Sequence, residues 1–219
     1  MHRKRTAILI SGRGSNMTAL IEAARDQTYP AQIALVVSNR PDAAGLQRAA
    51  EAGIAIAIVD HRTYGKDRES FERALQDVLV EHRIELVCLA GFMRIVTAWF
   101  VAQWPNRMLN IHPALLPAFK GLDTHRRALE SGVSEHGATV HFVVPEMDSG
   151  PVIAQAAVPV LPGDTEAALA ARVLAVEHGI YPLALKLVAS GRVRVVDGRC
   201  VVDGALTAED AARLPGAPH

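Results

Sequence analysis

Three side chains able to support acyl-transfer chemistry occur in two short segments of the chain. Asn110 and His112 stand two residues apart at the end of a predicted strand, and Asp148 lies in a predicted turn. Residues two apart on a strand point to the same face. An amide beside an imidazole can bind a carbonyl oxygen and stabilise negative charge that develops on it. A strand-end histidine that hydrogen-bonds a loop carbonyl is the alternative interpretation of His112.

Asp148 also has two interpretations. An aspartate in a turn between two strands commonly bonds its own backbone and is exposed to solvent. If the turn folds against Asn110 and His112, the carboxylate would instead favour the protonated imidazole and could accept a proton through a water molecule. The sequence leaves both interpretations open, because it does not show whether these segments meet.

A glycine loop, Ser11-Gly12-Arg13-Gly14-Ser15-Asn16, follows the first predicted strand and opens the first predicted helix. A helix N-terminus presents unpaired N–H groups and the positive end of the dipole, and glycines let an anion approach the backbone. A dinucleotide site fits less well, because Met17 replaces the third glycine of G-x-G-x-x-G and no acidic residue follows the second strand. The loop predicts a site for a phosphate monoester, and a tight strand-to-helix turn is the alternative.

No metal site is expected from the cysteines and histidines. Cys88 and Cys200 lack metal-ligand spacing and do not suggest a disulfide framework. Among the nine histidines, His136 and His141 lie close in sequence, but their spacing crosses a predicted strand. No acidic or thiol partner completes a recognisable set around them.

The composition favours a globular cytoplasmic protein with small-molecule substrates. Half of the 219 residues are hydrophobic, about a fifth are charged, and the formal net charge is zero. Nothing indicates a broad nucleic-acid surface. No segment approaches the roughly 18 apolar residues of a membrane span, and the apolar run near the N-terminus is too short for a signal peptide. We expect no nucleic-acid or membrane partner, and a monomer or homodimer.

The first half of the chain must position the glycine loop. Short apolar runs alternate there with amphipathic helices, a pattern typical of a Rossmann-like, doubly wound parallel α/β sheet. Asn16 is a plausible N-cap of the first helix, and Gly53 a plausible residue just beyond the second. The predicted strands are 6–10, 33–38, 54–59 and 86–90, and the predicted helices are 17–26, 43–52 and 68–82.

The pattern changes after about residue 100. The second half predicts antiparallel strands and a long helix, 165–189. We expect a single domain over 1–203, with a phosphate-binding half (about 1–100) and a second half (about 101–203), and a loosely held tail, 204–219. The other predicted elements are a strand at 108–111, a helix at 124–131, an antiparallel pair at 137–144 and 152–160 joined by the turn 145–150, and a hairpin of 193–196 with 200–202.

Several motifs, taken together and in this order, resemble the folate-dependent glycinamide ribonucleotide formyltransferases. The similarity covers roughly residues 6–203. Its most specific element is the glycine loop ending in Ser15-Asn16, since the elements around His112 and Asp148 also occur in other formyltetrahydrofolate enzymes. The remaining motifs are Leu89-Ala90-Gly91-Phe92-Met93-Arg94-Ile95, Asn110-Ile111-His112-Pro113-Ala114-Leu115-Leu116-Pro117, Asp148-Ser149-Gly150-Pro151-Val152-Ile153 and Glu177-His178-Gly179-Ile180-Tyr181-Pro182.

The resemblance implies the formyltransferase fold and transfer of a formyl group from 10-formyltetrahydrofolate, the co-substrate, to the amine of glycinamide ribonucleotide in de novo purine biosynthesis. It implies that the second half, about 101–203, is the folate and catalytic half, with Asn110, His112 and Asp148 as catalytic residues. The ribonucleotide would be bound by Gly12, Arg13, Gly14, Ser15, Asn16 and Glu177. The folate would be bound by Arg68, Met93, Arg94, Ile95, Val96, Asn110, Val144, Pro145, Glu146, Met147 and Asp148. Departures from the family pattern are Arg13, where asparagine is also common, and the variable loop 117–123.

Other functions remain as alternatives. A formyltetrahydrofolate hydrolase would use water in place of the amine, but that family usually carries an extra N-terminal domain. A methionyl-tRNA formyltransferase would need an additional RNA-binding region at the C-terminus. A non-catalytic phosphosugar- or folate-binding protein would not require Asn110, His112 and Asp148 together.

Overall fold

The computed structural model describes residues 2–211 and residue 213. The chain divides into two compact units, Met1–Asn110 and Ile111–His219. The single-domain organisation over 1–203 stays a prediction, and the boundary between the units lies ten residues beyond the expected change near 100. Of the expected tail, 212 and 214–219 lie outside the described residues.

The first unit contains a parallel sheet with strand order β3-β2-β1-β4-β5. Because the order reverses between β1 and β4, the loops that follow these two strands leave the same edge at a topological switch point, where open α/β sheets bind ligands. The Rossmann-like part of the fold prediction is confirmed. The strands are β1 (Lys4–Ile10), β2 (Ala31–Ser38), β3 (Ala55–Ile58), β4 (Leu86–Leu89) and β5 (Met108–His112), whose last two residues belong to the second unit.

Four helices and one short 3-10 helix accompany this sheet. The apolar run of β1 is completely buried from Ala7 to Ile10, as expected of a strand covered on both faces. Met17 and Leu20 of the first helix are also fully buried. The helices are α1 (Ser15–Ala23), α2 (Ala44–Glu51), α3 (Arg68–Glu81) and α4 (Ala98–Gln103), and the 3-10 helix is His61–Tyr64.

Three sequence-based expectations for this unit need correction. The N-cap of α1 is Gly14, not Asn16, because a left-handed Gly14 (φ 73°) lets the helix begin at Ser15. β3 is shorter than expected, and Ile56 and Ile58 are 43% and 48% exposed, since β3 is an edge strand. Helix α4 was not expected, although Thr97, whose side chain accepts a hydrogen bond from the Phe100 N–H, is a regular N-cap signal.

The second unit contains the antiparallel pair β6 (Glu135–Phe142) and β7 (Val152–Pro159), and this confirms the predicted pairing. Helix α5 (Thr124–Ser131) has the predicted bounds. The long helix α6 (Glu166–Ala189) begins after Thr165, whose side chain accepts a hydrogen bond from Ala168 N. The predicted hairpin is formed by β8 (Val193–Val196) and β9 (Arg199–Val202), and α7 (Ala208–Ala211) follows.

Helix α6 is long and apolar enough to cross a membrane, judged by length and composition alone. This corrects the expectation that no segment approaches such a span. The most apolar stretch of the helix is 44% buried inside the protein, and the buried residues of α6 include Glu177 and Tyr181. A core helix of a soluble protein meets the same criteria.

Candidate active site

The glycine loop lies at the carboxyl end of β1 and leads directly into α1. Gly45, the second residue of α2, donates a backbone hydrogen bond of 3.0 Å to the carbonyl of Gly12. A Cβ at Gly45 would lie 2.5 Å from Ile10 Cδ1 and 3.1 Å from that carbonyl oxygen. The absence of a side chain at Gly45 therefore lets α2 approach the loop and hold its backbone in place.

A cavity of about 440 Å³ opens over this loop. Its wall combines backbone N–H groups at the start of α1 with polar side chains, which is the environment that a phosphate group requires. All five loop residues expected to bind phosphate line the cavity. The complete lining is Ser11, Gly12, Arg13, Gly14, Ser15, Asn16, Asn39, Arg40, His61, Ala90, Gly91 and Met93.

Asn39, Arg40 and His61 were not among the residues expected at this cavity. Asn39 and Arg40 directly follow β2, the neighbour of β1 in a parallel sheet. Since carboxyl ends of parallel strands meet at one edge, the end of the second predicted strand was the signal for them. Arg40 currently pairs with Asp42 at 2.8 Å, and both side chains are exposed.

A second loop, Gly91–Val96, follows β4 at the same edge of this sheet. Met93 and Ile95 are 69% and 64% exposed, and such apolar side chains suit the face of an aromatic ligand. Two charged residues of α3 hold the end of the loop. Arg68 donates to the carbonyl of Ile95. Buried Glu72 accepts hydrogen bonds from the N–H, at 2.7 Å, and the hydroxyl of Thr97.

In the second unit, buried His112 lies beside the largely covered side chain of Asp148. His112 Nδ1 lies 3.5 Å from Asp148 Oδ2, and the two side chains are 7% and 10% exposed. His112 Nε2 lies 3.0 Å from the carbonyl oxygen of Phe119. Because a carbonyl oxygen only accepts, Nε2 carries a proton in this contact. The turn aspartate is thus not an exposed, self-bonded residue, and the imidazole presents a donor to a carbonyl oxygen.

The turn after β6 fixes the position of Asp148. Its backbone is left-handed, with φ 50°, and Oδ2 accepts a hydrogen bond of 2.9 Å from Gly121 N. Gly150 packs so closely that a Cβ would lie 1.7 Å from the carbonyl oxygen of Phe142. The Asp-x-Gly spacing of this motif therefore has a steric cause.

A second histidine lies on the other side of the carboxylate. His141 Nε2 is 3.8 Å from Asp148 Oδ1, and His141 Nδ1 lies 2.8 Å from the carbonyl oxygen of Phe142. Burial lowers the pKa of His141, which favours the neutral ring. The sequence suggested His141 only as a possible metal ligand and gave no sign that it lies beside Asp148.

The remaining expected site residues are distributed over both units. Asn110 is half-buried on β5 and is the last residue of the first unit. In the second unit, Glu177 is buried on α6. Of the expected folate-binding residues after β6, Val144 is half-buried, and Pro145, Glu146 and Met147 are exposed.

The rings of Phe119, His125 and His136 form a cluster in the second unit. The centroid of His136 lies 5.7 Å from that of Phe119 and 5.2 Å from that of His125. Burial and the neighbouring His125 lower the pKa of His136 to about 4. Within the described part of the chain, no group of three or more His, Cys, Asp or Glu residues is arranged to hold a metal ion. That the reaction needs no metal stays a prediction.

Comparison with known proteins supplies the family context. Residues 4–185 match the family model described as Formyl transferase. The phosphoribosylglycinamide formyltransferase of Escherichia coli strain K12 is 46% identical over 197 residues, which cover 90% of this chain and 92% of that protein. The crystal structure of glycinamide ribonucleotide transformylase 1 from Symbiobacterium toebii superposes with a TM-score of 0.89 at 47% identity. The match covers 92% of this chain and 94% of the Symbiobacterium chain.

Larger proteins match as well. The human trifunctional purine biosynthetic protein adenosine-3 is 51% identical over 193 residues, which are 88% of this chain and 19% of the human protein. The chain therefore spans about a fifth of the length of this curated relative.

Proposed function

The chain belongs to the formyl transferase family, and we propose that it transfers the formyl group of 10-formyltetrahydrofolate to the amine of glycinamide ribonucleotide. This step belongs to purine (IMP) biosynthesis and one-carbon metabolism. The observation that carries the proposal is the cavity of about 440 Å³ over the glycine loop. A formyltetrahydrofolate hydrolase has no need of a phosphate site, and the relatives described above are named as ribonucleotide formyltransferases or purine biosynthetic proteins.

The phosphate of the ribonucleotide binds to the backbone N–H groups of Gly12–Asn16. Anions are stabilised at this position because the helix dipole is positive there and the N–H groups have no helical partners. Arg13 adds a positive charge at the cavity wall. Glu177 contacts the ribose or glycinamide part of the substrate.

The folate binds to the exposed apolar side chains and backbone of Met93, Arg94, Ile95 and Val96, with Arg68 nearby. The segment Val144–Asp148 contributes further contacts, as does Asn110. Arg68 already donates to the carbonyl of Ile95, which supports a role in shaping this loop. The co-substrate supplies the transferred carbon, so the protein itself has only to bind, orient and exchange protons.

The substrate amine attacks the formyl carbon, and a tetrahedral intermediate with a negative oxygen forms. Protonated His112 and the Asn110 amide stabilise that oxygen. In the free protein, Nε2 of His112 already donates to a carbonyl oxygen, that of Phe119, so the ring can make the required interaction. Asp148, 3.5 Å from His112 Nδ1, orients the imidazole and helps to move a proton from the attacking amine to the folate N10 through water. The C–N10 bond then breaks, and the formylated amine and tetrahydrofolate leave.

No covalent enzyme intermediate and no metal take part in this mechanism. Much of the rate enhancement comes from holding two substrates in a reactive orientation. The partners are small molecules in the cytoplasm, without nucleic acid or membrane, and the protein acts as a monomer or homodimer.

A spectrophotometric assay with 10-formyl-5,8-dideazafolate, run with and without glycinamide ribonucleotide, tests the proposal. We expect the deformylated product only when the ribonucleotide is present. His112→Ala should then lower kcat by about 100-fold or more, the usual loss for a general acid. Product formation at the same rate without the ribonucleotide would identify a hydrolase and overturn the phosphate-site argument.

A further inference from the structure

The side chain of Ser11 connects the glycine loop to the Gly91–Val96 loop within the first unit. Its hydroxyl accepts a hydrogen bond of 2.7 Å from the backbone N–H of Met93. The backbone N–H of Ser11 donates to the carbonyl of Gly91 at 3.1 Å. Both ends of this one residue are therefore bonded to the turn that begins the Gly91–Val96 loop.

The hydroxyl of Ser11 also faces the cavity wall formed by the end of β2. It donates a hydrogen bond of 2.6 Å to Asn39 Oδ1, and Asn39 Nδ2 lies 3.1 Å from His61 Nδ1. Ser11 and Asn39 are 6% and 2% exposed. His61 Nδ1 also lies 2.8 Å from the backbone carbonyl oxygen of Asn39, so the buried Asn39 is held against His61 while its side-chain oxygen accepts the Ser11 hydroxyl proton.

This arrangement places Ser11 between two binding surfaces. Ser11, Asn39, His61 and Met93 all line the phosphate cavity, and Met93 begins the exposed apolar segment assigned to the folate. An anion bound to the N–H groups of the next residues contacts the loop that starts at Ser11. Because the Ser11 hydroxyl is hydrogen-bonded to the N–H of Met93, a shift of this loop would be passed directly to the start of that apolar segment.

We propose that Ser11 is a positioning residue that couples the two substrate sites, so that an occupied phosphate loop tightens folate binding. This inference rests on the proposed function, since it takes the ribonucleotide phosphate and the folate as the two ligands. Coupling of this kind is reciprocal, because each ligand must change the affinity of the other by the same factor.

The test is a set of calorimetric titrations on the full chain with 5,8-dideazafolate, which has no formyl group to transfer. Each titration is run with and without saturating glycinamide ribonucleotide, and the ribonucleotide is titrated with and without the folate analogue. For the wild type, we expect each ligand to lower the Kd of the other by about fivefold or more. Inorganic phosphate in place of the ribonucleotide should reproduce part of the effect, since it occupies the loop alone.

Ser11→Ala should reduce the coupling factor by about twofold or more, the change expected from the loss of one hydrogen bond. Ser11→Thr keeps the hydroxyl and should retain the coupling. Asn39→Ala removes the acceptor that orients the hydroxyl and should weaken the coupling in the same direction, which provides a second route if Ser11→Ala does not fold. Thr6→Val removes another buried hydroxyl from β1 and is the control. If loss of a buried hydroxyl affected the coupling factor only by lowering stability, this variant would lower it as well.

The outcomes separate the two proposals. If formyl transfer requires the ribonucleotide but the wild type shows no coupling, the inference is wrong and the proposed function stands. A coupling factor that is unchanged in folded Ser11→Ala also overturns it, even where both affinities and the melting temperature fall. Absence of ribonucleotide-dependent transfer in the wild type contradicts the proposed function itself.

Discussion

The carboxylate of Asp148 lies 3.5 Å from Nδ1 of His112, and the oxygen that faces the ring also accepts a hydrogen bond of 2.9 Å from Gly121 N. The aspartate is therefore fixed by contacts on two sides. The histidine is fixed on its other side by the carbonyl of Phe119. Two polar groups that are held in this way need little reorganisation when charge develops on a reacting oxygen.

Replacing Asp148 by asparagine tests the carboxylate without changing the shape of the side chain. We expect Asp148→Asn to lower kcat by about 100-fold or more, with smaller changes in KM, because the general-acid pair is lost. Steady-state kinetics with both substrates measures this. Asp197→Asn is a matched control, since Asp197 is also left-handed (φ 49°) and sits in the β8–β9 turn. Full activity in Asp148→Asn would remove Asp148 from the mechanism.

An added methyl group should have different effects at two glycines of the glycine loop. No atom lies within 4 Å of a Cβ built on Gly12, whereas a Cβ on Gly14 meets Met17 Cε at 3.0 Å and Gly45 Cα at 3.3 Å. Gly12→Ala should leave stability nearly unchanged and raise the KM for the ribonucleotide about tenfold or more, because the methyl group enters space that the phosphate needs.

Gly14→Ala should instead cost about 1–2 kcal/mol of stability, since Gly14 is left-handed (φ 73°). Urea unfolding of both variants, alongside their kinetics, separates the two effects. An unchanged KM in Gly12→Ala would argue that the loop is a structural turn and not a phosphate site.

We expect Gly150, two residues after Asp148, to be essential for the position of the Asp148 carboxylate. A methyl group on Gly150 would lie 1.7 Å from the Phe142 carbonyl oxygen, which is backbone and cannot move aside. Gly150→Ala should therefore displace the turn and lower kcat about as much as Asp148→Asn. Gly132→Ala is the comparison: Gly132 is left-handed with open space around it, so it should lose about 1 kcal/mol of stability and keep its activity.

The buried His136 predicts a loss of stability in mild acid. Its pKa is lowered to about 4 in the folded protein, against about 6.5 in the unfolded chain. As the pH falls, His136 is protonated in the unfolded chain before it is protonated in the folded protein. The free energy of unfolding therefore decreases between about pH 6.5 and pH 4 and does not depend on this residue above about pH 6.5. We expect the free energy of unfolding to fall by about 1–2 kcal/mol between pH 7.5 and 5 from this residue.

Denaturant unfolding at the two pH values measures this loss, and His136→Leu should reduce it. An equal pH dependence in wild type and His136→Leu would assign the acid sensitivity to other groups.

The glycine loop was predictable because its structure is local. A strand, two glycines and a helix start within a few residues of each other, so chain connectivity alone brings the N–H groups of α1 to the end of β1. The parallel sheet was also predictable from a local pattern, the alternation of apolar strands and amphipathic helices. Burial on both faces of a sheet requires continuous apolar runs. The exposed β3 was mispredicted because an edge position depends on strand order, which composition does not reveal.

The sequence by itself therefore determined the α/β class, the glycine loop between a strand and a helix, and the residue types for acyl transfer. Only the tertiary structure decided that Asp148 meets His112, that Asn39, Arg40 and His61 complete the cavity over the glycine loop, and that Ser11 holds Met93. These contacts join residues far apart in the chain, and each depends on strand order, a turn conformation or a close backbone approach. Such features arise from the packing of whole elements, so no local pattern of residues encodes them.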